Sequence, residues 1–390
     1  MISVDVALAQ LLDLVEPLEA EEIPLRHAAG RVLARDVTAR RTQPPFAASS
    51  MDGYALRRAE VEPDAMFKVI GESAAGHRFD GTLRAGQAVR IFTGAPLPDG
   101  ADFIVIQEDT TRRGDLITLG HKIGTKDNIR PAGGDFGAGQ QIKAPLVLRP
   151  ADIALLAAMN IAPVPVTRKP VVAILATGDE LVQPGETPNE DQIVASNSYG
   201  LAAMVEGIGA VARLLPIARD TPESLKQAFH LARDADLIIT IGGASVGDHD
   251  LVAPVAADIG MEQSFYKVAM RPGKPLMAGR LGRAAMIGLP GNPVSAMVCG
   301  TVFVRPLLRK MLGLGEVAMP LAQAPLAVDL PGNGPRAHYM RAHLRDGTLH
   351  PDTRQDSSLL SVLAVANALM VRPVNDPPRH KGEMADYLLI

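Results

Sequence analysis

Between residues 171 and 304 the chain alternates short, almost wholly apolar runs with amphipathic ones, and no other feature limits the fold as much. VVAILATG (171–178), VARLLPIARD (211–220), LIITIGG (237–243) and AAMIGLPGN (284–292) read as strands. SYGLAAMVEG, TPESLKQAFHLARD and PVSAMVCGTVFV, lying between or after them, read as helices, and Thr221 before Pro222 is a helix-start signature. Strands without a polar face need cover on both sides, and alternating helices supply it. The expected centre is therefore a parallel βαβ sheet.

The flanks have other rhythms. Val4, Leu8, Leu11, Leu12 and Val15 recur at helical spacing. Residues 38–135 carry short β-like runs (FKVIGE, AVRIFTG, DFIVIQED, DLITLG) broken by Gly and Pro, and ADIALLAAMN reads as a helix after Pro150. Beyond MLGLGE the β rhythm returns in PLAVDL, AHYMRAHL, ALMVRP and ADYLLI. A chain of 390 residues exceeds one ordinary core. The expected fold class is α/β plus all-β: an elongated multi-domain chain with a central parallel-sheet βαβ domain, a β-rich domain and a C-terminal β-barrel-like domain. The expected division is 1–37 with 136–167 (helical, linking), 38–135 (β-rich), 168–315 (βαβ) and 316–390 (C-terminal β). Packing of residues 1–14 on the βαβ domain is the alternative placement of the first helix.

Composition narrows the function. A net charge of −4 argues against a general polyanion binder, and Trp 0, Tyr 5 and Phe 9 leave few platforms for stacked bases, so no nucleic acid is expected. The lone cysteine, Cys299, allows neither an internal disulfide nor a thiolate metal site and reads as a buried small hydrophobe. The first residues lack a basic n-region and no apolar run reaches spanning length, which reads as a cytoplasmic chain with no membrane role.

In open α/β sheets ligands bind beyond the carboxyl ends of the strands. Here those ends are ATGDEL, IARDT, IGGASVGDHD and LPGNPVS. They would bring Asp179, Glu180, Asp220, Asp248 and Asp250 beside the backbone of Gly242, Gly243 and Gly247. Carboxylates next to exposed N–H groups suit an anion together with a hard cation, most naturally a phosphate and Mg²⁺. An elaborate turn capped by Asp is the plainer alternative. In LPGNPVSA, Asn292 would cap the helix opening at Pro293, with Ser295 in the same turn and free N–H groups facing an anion, unless the motif only caps. YKVAMRPGKPL gathers Lys267, Arg271 and Lys274, as an oxyanion site would need, or as a solvated basic loop. PPFAASSMDGYAL sets Ser49, Ser50 and Asp52 beside Phe46 and Met51, and IFTGAPLP puts Thr93 at a strand end; each could be an ordinary turn. His249 could be a ligand or a surface residue. No P-loop signature occurs, and GIGAVA follows a helix and precedes a strand, the wrong order for a dinucleotide fold.

SSMDGYA, IFTGAPLP, IRPAGGD, ATGDEL, GGASVGDHD, RPGKP and LPGNPVSA stand in the order seen in the molybdopterin molybdenumtransferase family, similar to the E domain of gephyrin. The resemblance spans nearly the whole chain. It implies insertion of molybdenum from molybdate into adenylylated molybdopterin with Mg²⁺, releasing AMP and molybdenum cofactor. It also implies a four-domain homodimer whose active site lies between the βαβ domain of one subunit and the β domain of the other. On that resemblance the phosphates and metal meet Glu180, Asp220 and Asp250, and Lys267 aligns with a family lysine. Asp52, Thr93 and Asp135 would serve the site of the other subunit, and Ser357 falls near a family serine. Thr177, Gly178, Gly242, Gly243, Ser245, Gly247, Pro290, Gly291 and Asn292 complete the expected ligand surface with Arg271, Lys274 and Ser295. Lys267, Arg271 and Ser295 would hold molybdate or phosphate oxygens, with the metal on Asp250 and Asp220. Two departures are Arg271, where some relatives have lysine, and Ala244, where valine is common.

Other readings remain at this point. A molybdopterin adenylyltransferase uses a similar domain, but resembles TTGGTG where this chain has TIGGASVGDHD, and such an enzyme could hand over the pterin. A nicotinamide mononucleotide deamidase carries a related domain without SSMDGYA or LPGNPVSA. A non-catalytic pterin-binding scaffold or carrier would have no reason to keep the acidic strand ends.

Overall fold

The computed structural model describes residues 1–243, 251–315 and 318–390. Its centre is a six-stranded sheet in the order Val211–Leu214, Val171–Ala176, Leu237–Ile241, Ala284–Leu289, Met277–Leu281, Met261–Tyr266. The first four strands run parallel, as expected, but Met277–Leu281 runs antiparallel to both its neighbours, so the sheet is mixed. The reason is local: Leu281 and Ala284 are joined through Gly282 and Arg283, too short a link for a parallel crossover. The predicted VARLLPIARD strand covers only Val211–Leu214. Pro216, with no N–H to offer a ladder, lies just beyond it.

Side chains alternate between two cores, as the strand period requires. Val172, Ile174, Leu237 and Ile239 face Leu201, Val205 and Val298 from helices Asn197–Ile208 and Pro293–Cys299. Ala173, Leu175 and Ile238 face Leu225, Phe229 and Val255 from helices Pro222–Ala232 and Val252–Asp258. Thr221 caps its helix by accepting from the Ser224 N–H at 3.3 Å.

The first helix, Val4–Leu12, buries Ala7, Leu8, Leu11 and Leu12 in the first of these cores. Carbonyls at its end and just beyond are taken by cations of the central domain: Lys310 Nζ donates to Leu12 O at 2.8 Å and Arg280 Nη2 to Leu14 O at 2.7 Å. Residues 20–38 and 141–167 form a separate small core under the helix Pro150–Ala158. A six-stranded sheet from Gly53 to Leu119 makes the β-rich domain. The C-terminal sheet takes Ala337–Arg345, Thr348–Pro351, Ala368–Arg372, Met384–Leu389 and Ala322–Pro325, plus one strand from outside. That strand is Met270–Arg271, which leaves the central domain to run parallel to Ala337–His338.

Candidate functional site

The parallel strands end on one edge, where their backbones are cross-linked. Thr177 N–H donates to Ile241 O, Gly178 N–H to Ala218 O and Gly242 N–H to Leu289 O, each at 3.1 Å. The three strand ends wall a cleft of about 480 Å³ lined by Thr177, Glu180, Gly242, Gly243, Pro290, Gly291 and Asn292 among others. Gly178, at φ +150°, has a backbone that side chains rarely adopt, and a Cβ there would push away the Glu180 carboxylate that folds back against it. Gly242, at φ +89°, would put a Cβ 2.9 Å from Thr177 O. Glycine at these points is thus a condition for strand end and carboxylate to lie so close.

Thr177 is 5% exposed, yet its Oγ1 has no hydrogen-bond partner among the described residues. A buried hydroxyl in that state costs about 1–3 kcal/mol unless something supplies the bond. Glu180 is exposed on the wall; its backbone carbonyl accepts from Ile193 N–H at 2.8 Å, but no side-chain bond to its carboxylate is found among the described residues. Asp220 sits on the same edge, its N–H donating to Asp179 Oδ1 at 3.4 Å, and Arg219 donates to Asp179 O at 2.9 Å. Asp250, Asp248, His249, Ser245 and Gly247 lie outside the described residues. Among the described residues no group of three or more His, Cys, Asp or Glu side chains could hold a metal ion.

Sequence reasoning missed the opposite wall. Asn197 donates from Nδ2 to Gly291 O at 2.6 Å, and Ser196, Ser198, Ile193 and Pro275 also line the cleft. The signal was present in ASNSYG, a polar helix start of the same kind as LPGN. Asn292 needs a correction: it stands at the N-cap position but makes no capping bond. Its Nδ2 donates instead to Ser357 Oγ at 3.1 Å, while Val294 N–H donates to Ser357 O at 3.1 Å. The expected free N–H groups are therefore partly covered, because a C-terminal loop docks on the helix start. Ser295 is buried in that turn.

Arg341, also missed, holds that loop. It is 1% exposed and donates to Asp356 O at 2.7 Å, Arg354 O at 3.1 Å and Gln355 Oε1 at 3.2 Å. Lys267, Arg271 and Lys274 do not line the cleft described above. Lys267 has φ +77° and its Nζ lies 5.1 Å from the Tyr266 ring centre. Arg271 stands in register with His338. Burial, then the charges of Arg271, Arg372, Arg341 and Arg336, push the His338 imidazole down to about 4. Cys299 is fully buried behind this loop, where any side chain on Gly273 would strike its sulfur, and burial raises the thiol far from reactivity.

The third predicted cluster is self-contained. Asp52 Oδ1 accepts from Thr93 N–H and Thr93 Oγ1, both at 2.8 Å, which holds the carboxyl below its usual range. Ser50 Oγ donates to Asn128 O at 2.9 Å, and Asp135 is exposed. None of Asp52, Thr93 or Asp135 lines the strand-end cleft of the same chain.

An open strand-end cleft in an α/β domain, flanked by β domains, defines a multi-domain ligand-binding protein of the α/β class. Residues 2–160 match the family described as "MoeA N-terminal region (domain I and II)", residues 173–310 "Probable molybdopterin binding domain", and residues 323–390 "MoeA C-terminal region (domain IV)". A molybdopterin molybdenumtransferase of Nostoc sp. is 36% identical over 386 residues, covering 94% of this chain and 88% of that one. The Bacillus subtilis protein of the same name is 33% identical over 405 residues, covering 100% and 94%. A crystal structure of a molybdopterin biosynthesis MoeA protein from Pyrococcus horikosii matches with a TM-score of 0.87 at 29% identity, covering 100% and 99%. The chain belongs to the molybdopterin molybdenumtransferase (MoeA) family. No described helix is long and apolar enough to cross a membrane.

Proposed function

We propose that this chain is a transferase that inserts molybdenum from molybdate into adenylylated molybdopterin, with Mg²⁺, releasing AMP and molybdenum cofactor in the cytoplasm. The observation that carries the reading is the strand-end cleft, whose buried Thr177 hydroxyl has no partner among the described residues and whose glycines let backbone and Glu180 lie close together. A ligand with phosphate oxygens supplies the missing bond. The acidic residues fit a magnesium site of the kind completed by substrate, since Mg²⁺ is commonly held by one or two carboxylates plus phosphate oxygens. Glu180 and Asp220, with Asp250, would hold it. When bound, the ion neutralises charge on the pyrophosphate. Thr177, Gly242, Gly243, Pro290, Gly291 and Asn292 orient the ligand through backbone and hydroxyl contacts. Lys267, Arg271 and Lys274, with Ser295 and Ser357, bind the oxyanion, so the protein contributes mainly positioning and electrostatics.

Asp52, Thr93 and Asp135 complete the site of the second subunit in a homodimer, and an adenylyltransferase hands over the substrate. Mixing Asp52→Asn chains with Glu180→Gln chains tests this, because each mixed dimer would carry one intact shared site. Turnover returning to roughly a quarter of wild type supports the shared site; none returning while mixed dimers form rejects it.

The test of the reaction is AMP release from adenylylated molybdopterin and Mg²⁺, with and without molybdate. Molybdate-dependent release is expected. Equal release without molybdate would make the chain a hydrolase, and binding without release would favour a scaffold or carrier.

A further inference from the structure

We infer that Ile2 is a positioning residue for the cationic loop 266–276, which it shapes through its backbone; the inference rests on the oxyanion role proposed above for Lys267 and Arg271. Ile2 N–H donates to Lys267 O at 3.3 Å, Ala269 N–H donates to Ile2 O at 2.8 Å, and Ile2 bridges Val268 in parallel. Lys267 is held at φ +77°, the left-handed region that a residue with a Cβ occupies only when its surroundings over-determine it. Three separate segments do so. Within the loop, Lys267 N–H donates to Leu276 O at 2.9 Å and Val268 N–H to Lys274 O at 3.1 Å. From the C-terminal domain, Ala337 N–H donates to Ala269 O at 2.9 Å beside the Met270–Arg271 pairing. From the N-terminus comes Ile2.

The strap is fixed at its far end as well. Ser3 Oγ caps the first helix by accepting from Val6 N–H at 3.2 Å. The helix buries four residues in the central core, Lys310 and Arg280 hold the carbonyls of Leu12 and Leu14, and Leu18 N–H donates to Met311 O at 2.8 Å. The half-buried Ile2 side chain packs on the core that contains Val268 and Met270. Ile2 is thus presented by a rigid element to the peptide that sets the direction of Lys267. Without it, Lys267 and Val268 keep only the loop's internal bonds, and Ala269 only its tie to Ala337.

The test is Ile2→Pro, which removes the N–H that Lys267 O accepts, against Ile2→Ala, which keeps both backbone bonds. For Ile2→Pro the KM for molybdate should rise on the order of tenfold, as expected for a misplaced binding group, with kcat at saturating molybdate nearly unchanged. Exchange of the Ala269 amide hydrogen should accelerate on a similar scale. Ile2→Ala should behave as wild type in both. If Ile2→Pro does not fold, Arg280→Met, which frees the anchor at Leu14, should show the same pair of changes. A wild-type KM, or a loss confined to thermal stability, would overturn the inference. Lys267→Ala and Arg271→Ala separate the two readings. If both leave the KM for molybdate unchanged, the oxyanion reading fails. The Ala269 exchange then decides the strap alone, unchanged protection rejecting it.

Discussion

The strand-end cleft and the seam between the cationic loop and the C-terminal domain treat buried polar groups in opposite ways. In the cleft, Thr177 is nearly inaccessible, and among the described residues its hydroxyl is unpaired and the Glu180 carboxylate, bent over a glycine, has no side-chain bond. At the seam, Arg341 is buried more deeply still, but its guanidinium is spent on two peptide carbonyls and an amide oxygen of one loop. His338 is kept neutral there by burial and by four neighbouring arginines. Burial therefore does not distinguish a ligand site from a scaffold. Satisfaction of the buried groups separates these two regions, because an unpaired hydroxyl bears a cost a ligand can relieve; outside the cleft, Gln10, Arg213 and Thr240 also hold unpartnered buried atoms among the described residues.

The contrast breaks most visibly at Glu180. Glu180→Gln should lower molybdate-dependent AMP release roughly 10²–10³-fold, comparable to losing one electrostatic contact of a transition state. Its melting temperature should stay put, since the carboxylate has no partner to lose among the described residues, and near-normal turnover would end the comparison. At the seam the expectation reverses. Arg341→Met should cost roughly 4 kcal/mol in urea unfolding, because it orphans acceptors that a buried cation now serves. A loss under about 1 kcal/mol would show that the loop carrying Ser357 needs no clamp.

His338 gives the seam a pH signature. Its folded value of about 4 lies below the ordinary 6.5, so the unfolded chain takes up the proton first as pH falls. Stability should decline between about pH 6.5 and pH 4, by up to about 3 kcal/mol, and level off below. Equilibrium unfolding across that window should show the slope for wild type and a flatter profile for His338→Phe. The smallest effect sharpens the contrast most: Thr177→Val should leave stability unchanged or slightly raised, while ligand affinity drops about tenfold. Loss of stability with affinity intact would mean the hydroxyl is structural after all.

Much of the cleft was legible because strand ends of an α/β sheet announce themselves locally. Gly178, Glu180, Gly242 and Asn292 each stand within a few residues of the end of an apolar run, and the glycine-rich spacing signals close backbone approach. What escaped the reading joins distant segments. Asn197 meets Gly291 across 94 residues, Asn292 meets Ser357 across 65, and Arg280 meets Leu14 across 266. Asn292 shows the limit well: its position before Pro293 was predicted, but the use of its amide was not, since capping its own helix and binding Ser357 are equally good local chemistry.

By itself the sequence determined the elements and their faces: the two-core alternation of Val172 to Leu175, the Thr221 helix start, and the polar ends of buried strands. These follow from dihedral preferences and side-chain periods that act within one turn or one strand. The tertiary structure alone decided that Met270–Arg271 joins the C-terminal sheet, that Arg341 clamps the loop bearing Ser357, and that Ile2 meets Lys267. Those contacts depend on which distant backbone groups arrive within 3.5 Å of each other, and no local preference encodes that meeting.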